Sequence, residues 1–483
     1  MGALVAAVNK QGKDVVRRVA VMLKELNHRG KDAHGIATQK TATTASTIET
    51  LNISNCNSNV ALGHNLSRIL PRDQPQPIQG KNFTLVFEGR LFPFLKVSET
   101  TQIIQKLGSN PEKNAGHIVE GLEGSYAFVV LTSNSLIVGR DLLGTAPLYY
   151  GESEAVCAVA SERKALWKIQ IRNVKPFPPG YLALVNKSGF TFKEVKKLRR
   201  PPKINVDMET AAKALRLLLL DAISKRASDL EAVAVAFSGG VDSSVIAVLA
   251  ESVGLKVQLV SVGLEDQFEV GFAEEAAEAL GLPLYLQTFT TSYLRETLDR
   301  VLWLIEEPDL VKASIAVPFF WTAEVVSKLG FPVFLAGQGA DEQFGGYQRH
   351  LTTYVERGAE AVEYEMFHDV ENSYQANFQR DNQVCSYHGV ELRLPYVDKE
   401  VVDFSLRLPL RLKIGSTEDT LRKRVLREVA YNLEIPAIIA DKPKKAVQYT
   451  TGVTKILQQL AKKEGLTLRD YVKKRFDTIY KIT

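Results

Sequence analysis

The residues with the clearest chemical purpose are Ser238-Gly239-Gly240-Val241-Asp242-Ser243-Ser244, which follow the apolar run AVAVAF and open a stretch of helical period. Glycines at 239 and 240 let backbone amides approach an anion, and the helix N-terminus adds partial positive charge. The hydroxyls of Ser238, Ser243 and Ser244 can donate to phosphate oxygens. Asp242 can hold Mg²⁺, which prefers a carboxylate together with phosphate oxygens. No Gly-x-x-x-x-Gly-Lys-Ser/Thr string occurs, which excludes the γ-phosphate cradle of kinases and GTPases. The plain alternative is a glycine turn with serine caps; the strand–loop–helix setting of all seven residues favours the phosphate site. Three basic clusters stand out: Lys196-Lys197-Leu198-Arg199-Arg200, Arg422-Lys423-Arg424 and Lys442-Pro443-Lys444-Lys445. The first two read as solvated faces.

The elements that position this loop alternate. Apolar runs at 232–237, 257–262, 284–289 and 332–336 interleave with helical stretches at 211–227, 243–252, 272–280 and 321–329. Such alternation predicts a parallel sheet wrapped by helices. The last ~140 residues read as mostly helical. Residues 1–195 differ, with short β-runs at 4–8, 84–87, 125–131 and 181–185 and helices at 15–26 and 99–107. Between the halves lies VKKLRRPPKINVD, whose prolines and charges carry no amphipathic period. The expected division is a first domain at 1–195, a linker at 196–206 and a second domain at 207–483, an α/β protein in both halves.

The seven-residue loop resembles the pyrophosphate loop of the N-type ATP-pyrophosphatases. Three further segments narrow the family: LAGQGADEQFGGY from Leu335 to Tyr347, HGVELRLPYVD from His388 to Asp398, and PKKAVQY from Pro443 to Tyr449. Together they are similar to the synthetase domain of the asparagine synthetase B family, over residues 206–460. The resemblance implies ATP and Mg²⁺ as cofactors, with Asp341 as a second metal ligand beside Asp242. It implies that Lys444 stabilises charge on the α-phosphate, with Lys445 as its solvated neighbour. Val262 and Gly263 match the adenine edge, Gly337 lies near the ribose, and Ser238 and Ser243 are pyrophosphate donors. Two departures stand out. Gln338 replaces the loop glutamate, so a proton acceptor has become a hydrogen-bonding amide. Lys312 stands for the arginine expected to bind the acceptor acid, keeping charge but losing the bidentate fork.

Residues 1–195 resemble the class II glutamine amidotransferase domain, carried by NHRGKDAHG from Asn27, RDLLGTAPLYY from Arg140, ASERKAL from Ala160 and Pro178-Pro179-Gly180. The resemblance implies an N-terminal-nucleophile fold, two β-sheets between layers of helix. Its activity needs a cysteine at residue 2, with the α-amine as base; the residue here is Gly2. The glutamine pocket Asn-Gly-Glu reads Glu88-Gly89-Arg90. Arg29, which would grip the glutamine carboxylate, remains, with an ion pair to Asp32 as the alternative role. The expectation is a domain that no longer hydrolyses glutamine.

The remaining counts bound the setting. Only Cys56, Cys157 and Cys385 occur, none in a Cys-x-x-Cys pair, which excludes a zinc cluster or disulfide framework and suits a reducing cytoplasm. A net charge of +5 gives no reason to expect a nucleic-acid partner. The first residues are too short an apolar run for a signal peptide, and no run reaches membrane-spanning length. The expected reaction is adenylation of the side-chain carboxylate of aspartate or a similar acid, followed by transfer of ammonia. The rivals are a ligase resembling the β-lactam synthetases, a tRNA-modifying pyrophosphatase, and a non-catalytic scaffold. A homodimer is one option for the assembly, which no sequence pattern fixes.

Overall fold

A computed structural model describes residues 2–265 and 268–481 and divides into two compact units, Met1–Leu198 and Arg199–Thr483. Strand Gly2–Asn9 is buried along its whole length, because both of its faces meet apolar layers. It lies inside a seven-stranded sheet, pairing antiparallel with Val60–Leu66 and with Val156–Ala160. Leu4, Ala6 and Val8 face Val86, Val129 and Val138 of a second, six-stranded sheet. Ala3, Val5 and Ala7 face Val16, Val19 and Leu23 of helix Val16–Glu25. The outer face of the second sheet, with Phe87 and Phe128, packs on Ile103 and Ile118 of helices Glu99–Leu107 and Pro111–Gly121. The result is the helix–sheet–sheet–helix sandwich expected for this half.

The second unit holds a five-stranded parallel sheet in the order Leu284–Phe289, Lys256–Leu264, Ala232–Ala236, Val333–Leu335, Glu391–Arg393. The chain lays down the central strand first, builds outward on one side, then crosses to the other at Val333. That reversal leaves a crevice at the carboxyl ends of Ala232–Ala236 and Val333–Leu335, the usual ligand position in open parallel sheets. The phosphate loop follows the first of these strands and the Gly337 loop follows the second.

The sequence pattern missed strand Glu391–Arg393, which is too short and polar to signal itself. Helix Leu310–Lys328 begins eleven residues before the expected 321–329. It is apolar on all sides and carries Pro318, so it has no amphipathic stripe to read. Among the described residues it is the single helix long and apolar enough to cross a membrane, yet most of it is buried inside the unit. Its Trp321 stacks on Phe289 at 4.6 Å and donates to Thr297 Oγ1 at 2.9 Å.

Candidate active site

At the crevice, Gly239 takes φ +69°, and a Cβ there would stand 2.9 Å from the Phe272 ring, so the turn requires glycine. Helix Val241–Ser252 starts directly after it. The Ser243 and Ser244 hydroxyls both donate to the Gly240 carbonyl, at 3.1 and 3.0 Å, and Gly240 N donates to Ser238 Oγ at 3.4 Å. The loop is thus folded on its own hydrogen bonds. Ser238, Asp242 and Ser243 line a cavity of about 170 Å³, whereas Val241 and Ser244 are buried beneath it. Val262 also lines this cavity; Gly263 does not. Gly337 lies across from the loop, where a Cβ would come within 3.0 Å of Asp242 Cβ.

Asp242 and Asp341 are brought together by two lysines. Lys444 Nζ lies 2.7 Å from Asp341 and 3.6 Å from Asp242, on the cavity wall. Lys423 Nζ lies 2.6 Å from Asp242 and 2.5 Å from Asp341 and is wholly buried. Burial alone would push the Asp341 carboxyl up, but Lys423 and Lys444 hold it well below the usual range. Burial likewise works against charge on Lys444, and Asp341 and Asp242 overcome it and raise its pKa. Asp341 Oδ1 is buried and faces the Lys423 ammonium. Two carboxylates brought together beside a glycine turn at a helix N-terminus fit a Mg²⁺ site.

Lys423 is the residue that the sequence reading missed. Its cluster was expected on a solvated face, yet Arg422 and Lys423 are buried and only Arg424 is exposed. Arg422 and Lys423 take φ +52° and +53°, a left-handed conformation that costs about 1–2 kcal/mol per residue and turns the lysine inward. Lys445, expected to be a solvated neighbour, also lines the cavity.

The acceptor end needs a correction. Lys312 does not line the cavity: its ammonium pairs with Glu307, five residues back, and its backbone N–H is capped by Asp309. Arg380, Asn377, Tyr347 and Gln338 do line the cavity. Asn377 and Tyr347 both donate to Glu342 Oε1, at 2.6 and 2.5 Å, and burial, then Asp341, pushes the Glu342 carboxyl up.

In the first unit, Gly2 takes φ +156°, and a Cβ there would fall 1.8 Å from Asn65 O. Arg29 is fully committed. Nε donates to Gly2 O at 2.8 Å, Nη2 to Glu88 at 2.6 Å and Nη1 to Glu162 at 3.0 Å. The expected pair with Asp32 is absent, since that carboxylate accepts from Arg68 N instead. Ser161 Oγ donates to the second Glu88 oxygen at 2.5 Å, and Arg90 pairs with Asp73 at 2.5 Å. Gly89 takes φ +119° where a Cβ would strike Ser125 O. The charged residues of the expected glutamine pocket are therefore held by protein partners.

Residues 214–362 and 354–478 match the asparagine synthase family model, and residues 1–213 match the glutamine amidotransferase domain model. A protein of Methanocaldococcus jannaschii, assigned as an asparagine synthetase of the glutamine-hydrolysing type, is 31% identical over 92% of this chain and 93% of its own length. The glutamine-hydrolysing asparagine synthetase B of Escherichia coli is 26% identical over 91% of this chain and 80% of its own. Among solved structures, the glutamine phosphoribosylpyrophosphate amidotransferase of B. subtilis gives a TM-score of 0.37 at 20% identity, covering 59% of this chain and 65% of that one. A synthetase model spanning the phosphate loop, the Asp341 loop and Lys444, with a full-length relative beyond 30% identity, places this chain in the asparagine synthetase family.

Proposed function

We propose that this protein is an ATP-dependent, AMP-forming amide ligase, which activates the side-chain carboxylate of aspartate or a similar acid and gives it ammonia. ATP lies in the crevice, with its triphosphate on Ser238, Gly239, Gly240 and Ser243 and its base toward Val262. Asp242 and Asp341 would hold Mg²⁺, which neutralises phosphate charge when bound. A carboxylate oxygen of the acid attacks the α-phosphorus, and the α–β bridge bond breaks to release pyrophosphate. Lys444, fixed at the cavity wall by Asp341, faces the charge that grows on the α-phosphate. Ammonia nitrogen then bonds to the acyl carbon, the C–O bond to AMP breaks, and one proton leaves the nitrogen. The observation that carries this reading is the meeting of Lys444 with Asp341 and Asp242, from three segments far apart in the chain, beside the loop.

Glutamine hydrolysis is lost in the same reading. Gly2 heads the strand where the nucleophile is required, Asn65 O fills the space of a side chain, and Arg29 is occupied by Glu88 and Glu162. The substrates are small molecules, the setting is the cytoplasm, and neither membrane nor nucleic acid takes part.

The test is incubation with ATP, Mg²⁺ and aspartate, with either ammonium or glutamine, following AMP, pyrophosphate and asparagine. Asparagine from ammonium but not from glutamine is the expected result. AMP without asparagine would point to another acceptor or a tethered amine, and no AMP at all would sink the reading.

A further inference from the structure

Gln338 occupies the loop position where a glutamate is expected, and a carboxylate has appeared behind it. Asp381, on helix Gln379–Ser386, is fully buried, and its Oδ2 accepts from Gln338 Nε2 at 2.6 Å. Arg380 holds the same carboxylate from the other side, Nε to Oδ1 at 2.7 Å and Nη2 to Oδ2 at 3.1 Å. Arg380 is itself anchored by Nη1 to Ala376 O at 3.0 Å. Gln338 and Arg380 line the cavity; Asp381 does not.

Both Asp381 oxygens accept, from Gln338 and from Arg380, so Asp381 dictates which end of the Gln338 amide faces it. The NH₂ group must turn toward Asp381. The carbonyl is left on the opposite side, and among the described residues Gln338 Oε1 has no protein partner. An isolated glutamine at a cavity wall would present either end, so the fixed amide defines where its hydrogen-bond acceptor lies.

We propose that Asp381 is a positioning residue, which locks the Gln338 amide so that its carbonyl receives an N–H of the incoming nitrogen nucleophile. The inference rests on the amide-forming reading above. Its consequence is orientation: ammonia or a primary amine donates an N–H to Gln338 Oε1, which leaves the nitrogen lone pair free to attack. Gln338 binds the nucleophile without taking its proton.

The test separates the two half-reactions. Aspartate-dependent exchange of pyrophosphate into ATP reports adenylation and the integrity of the site; amide formation at varied ammonium reports the second step. In Asp381→Asn, Arg380 claims the Asn carbonyl and the Asn NH₂ turns to Gln338, which must flip. The KM for ammonium should rise roughly 10- to 100-fold, the effect of one misdirected buried hydrogen bond, with exchange unchanged. Gln338→Glu alone sets two carboxylates against each other and should lose amide formation. The double variant Gln338→Glu/Asp381→Asn rebuilds the pair with donor and acceptor exchanged and the same charge around Arg380, and should recover it. If Asp381→Asn fails to fold, the double variant decides. An unchanged KM for ammonium in Asp381→Asn, or a double variant no better than Gln338→Glu, overturns the proposal. A wild-type protein with no exchange for any acid sinks the underlying reading, and the proposal with it.

Discussion

Exchanging each of the two lysines at Asp341 for methionine should produce opposite phenotypes. Lys423 is wholly buried between Asp242 and Asp341, so Lys423→Met leaves two carboxylates with only the partly exposed Lys444 to balance them. Removing one partner of a buried ion pair costs about 3–5 kcal/mol. For a unit the size of Arg199–Thr483 the unfolding entropy is about 0.6 kcal/mol per degree, so the melting temperature should fall by roughly 5–8 °C. Lys444 is 26% exposed, and solvent screens its pairs, so Lys444→Met should cost only about 0–1 kcal/mol. Lys444 faces the cavity, however, and its loss should slow adenylation about 10²–10³-fold, as for removal of one preorganised donor to a developing charge. Thermal unfolding and pyrophosphate exchange read the two effects. Mg²⁺ added without nucleotide should restore stability to Lys423→Met and do little for the wild type. A Lys423→Met protein that melts within about 2 °C of wild type, or a Lys444→Met protein with undiminished exchange, would refute the assignment of structure to one lysine and chemistry to the other.

Three more outcomes follow from particular contacts. Gly2→Cys should not generate glutaminase activity, because its Cβ would lie 1.8 Å from Asn65 O and Arg29 stays paired; ammonia release from glutamine is the measurement. Gly346→Ala should abolish adenylation, since the added methyl would fall 2.0 Å from Asp341 Oδ1 and 2.3 Å from Lys423 Cε; exchange and thermal unfolding together read it. His64 is buried, and burial lowers its pKa from 6.5 to about 3, so the unfolded chain binds a proton that the folded one refuses. Stability should therefore drop as pH falls from 6.5 toward 3, by about 1.4 kcal/mol per unit, and His64→Asn should flatten that slope in acid unfolding.

The strand–turn–helix form of residues 238–244 was legible because the three parts are contiguous, and each has a local cause. The sandwich and the parallel sheet were legible for the same reason, through period and order. What escaped depends on distance along the chain. Lys423 sits in a run that looks solvated, and only a left-handed turn and two carboxylates from elsewhere reveal its burial. Lys312 was misjudged because its nearest acid, Glu307, is a local competitor that motif position does not register. Arg29 was expected to meet Asp32, three residues away, but strand pairing delivers Glu88 and Glu162 instead. Asp381 carries no motif, and its meaning comes from the amide it touches. Helix Leu310–Lys328 hid its first half because burial on every side erases periodicity.

The quartet of Asp242, Asp341, Lys423 and Lys444 has equal numbers of anions and cations, and this bears on the order in which ligands arrive. A lone divalent ion would bring a surplus of two positive charges into a water-poor crevice already in balance, an unfavourable entry at low dielectric. A nucleotide that carries its metal already chelated brings excess negative charge, which the ammonium groups welcome. On the proposed reading, the metal therefore enters as cargo of the triphosphate, and free divalent ions are disfavoured by electrostatics.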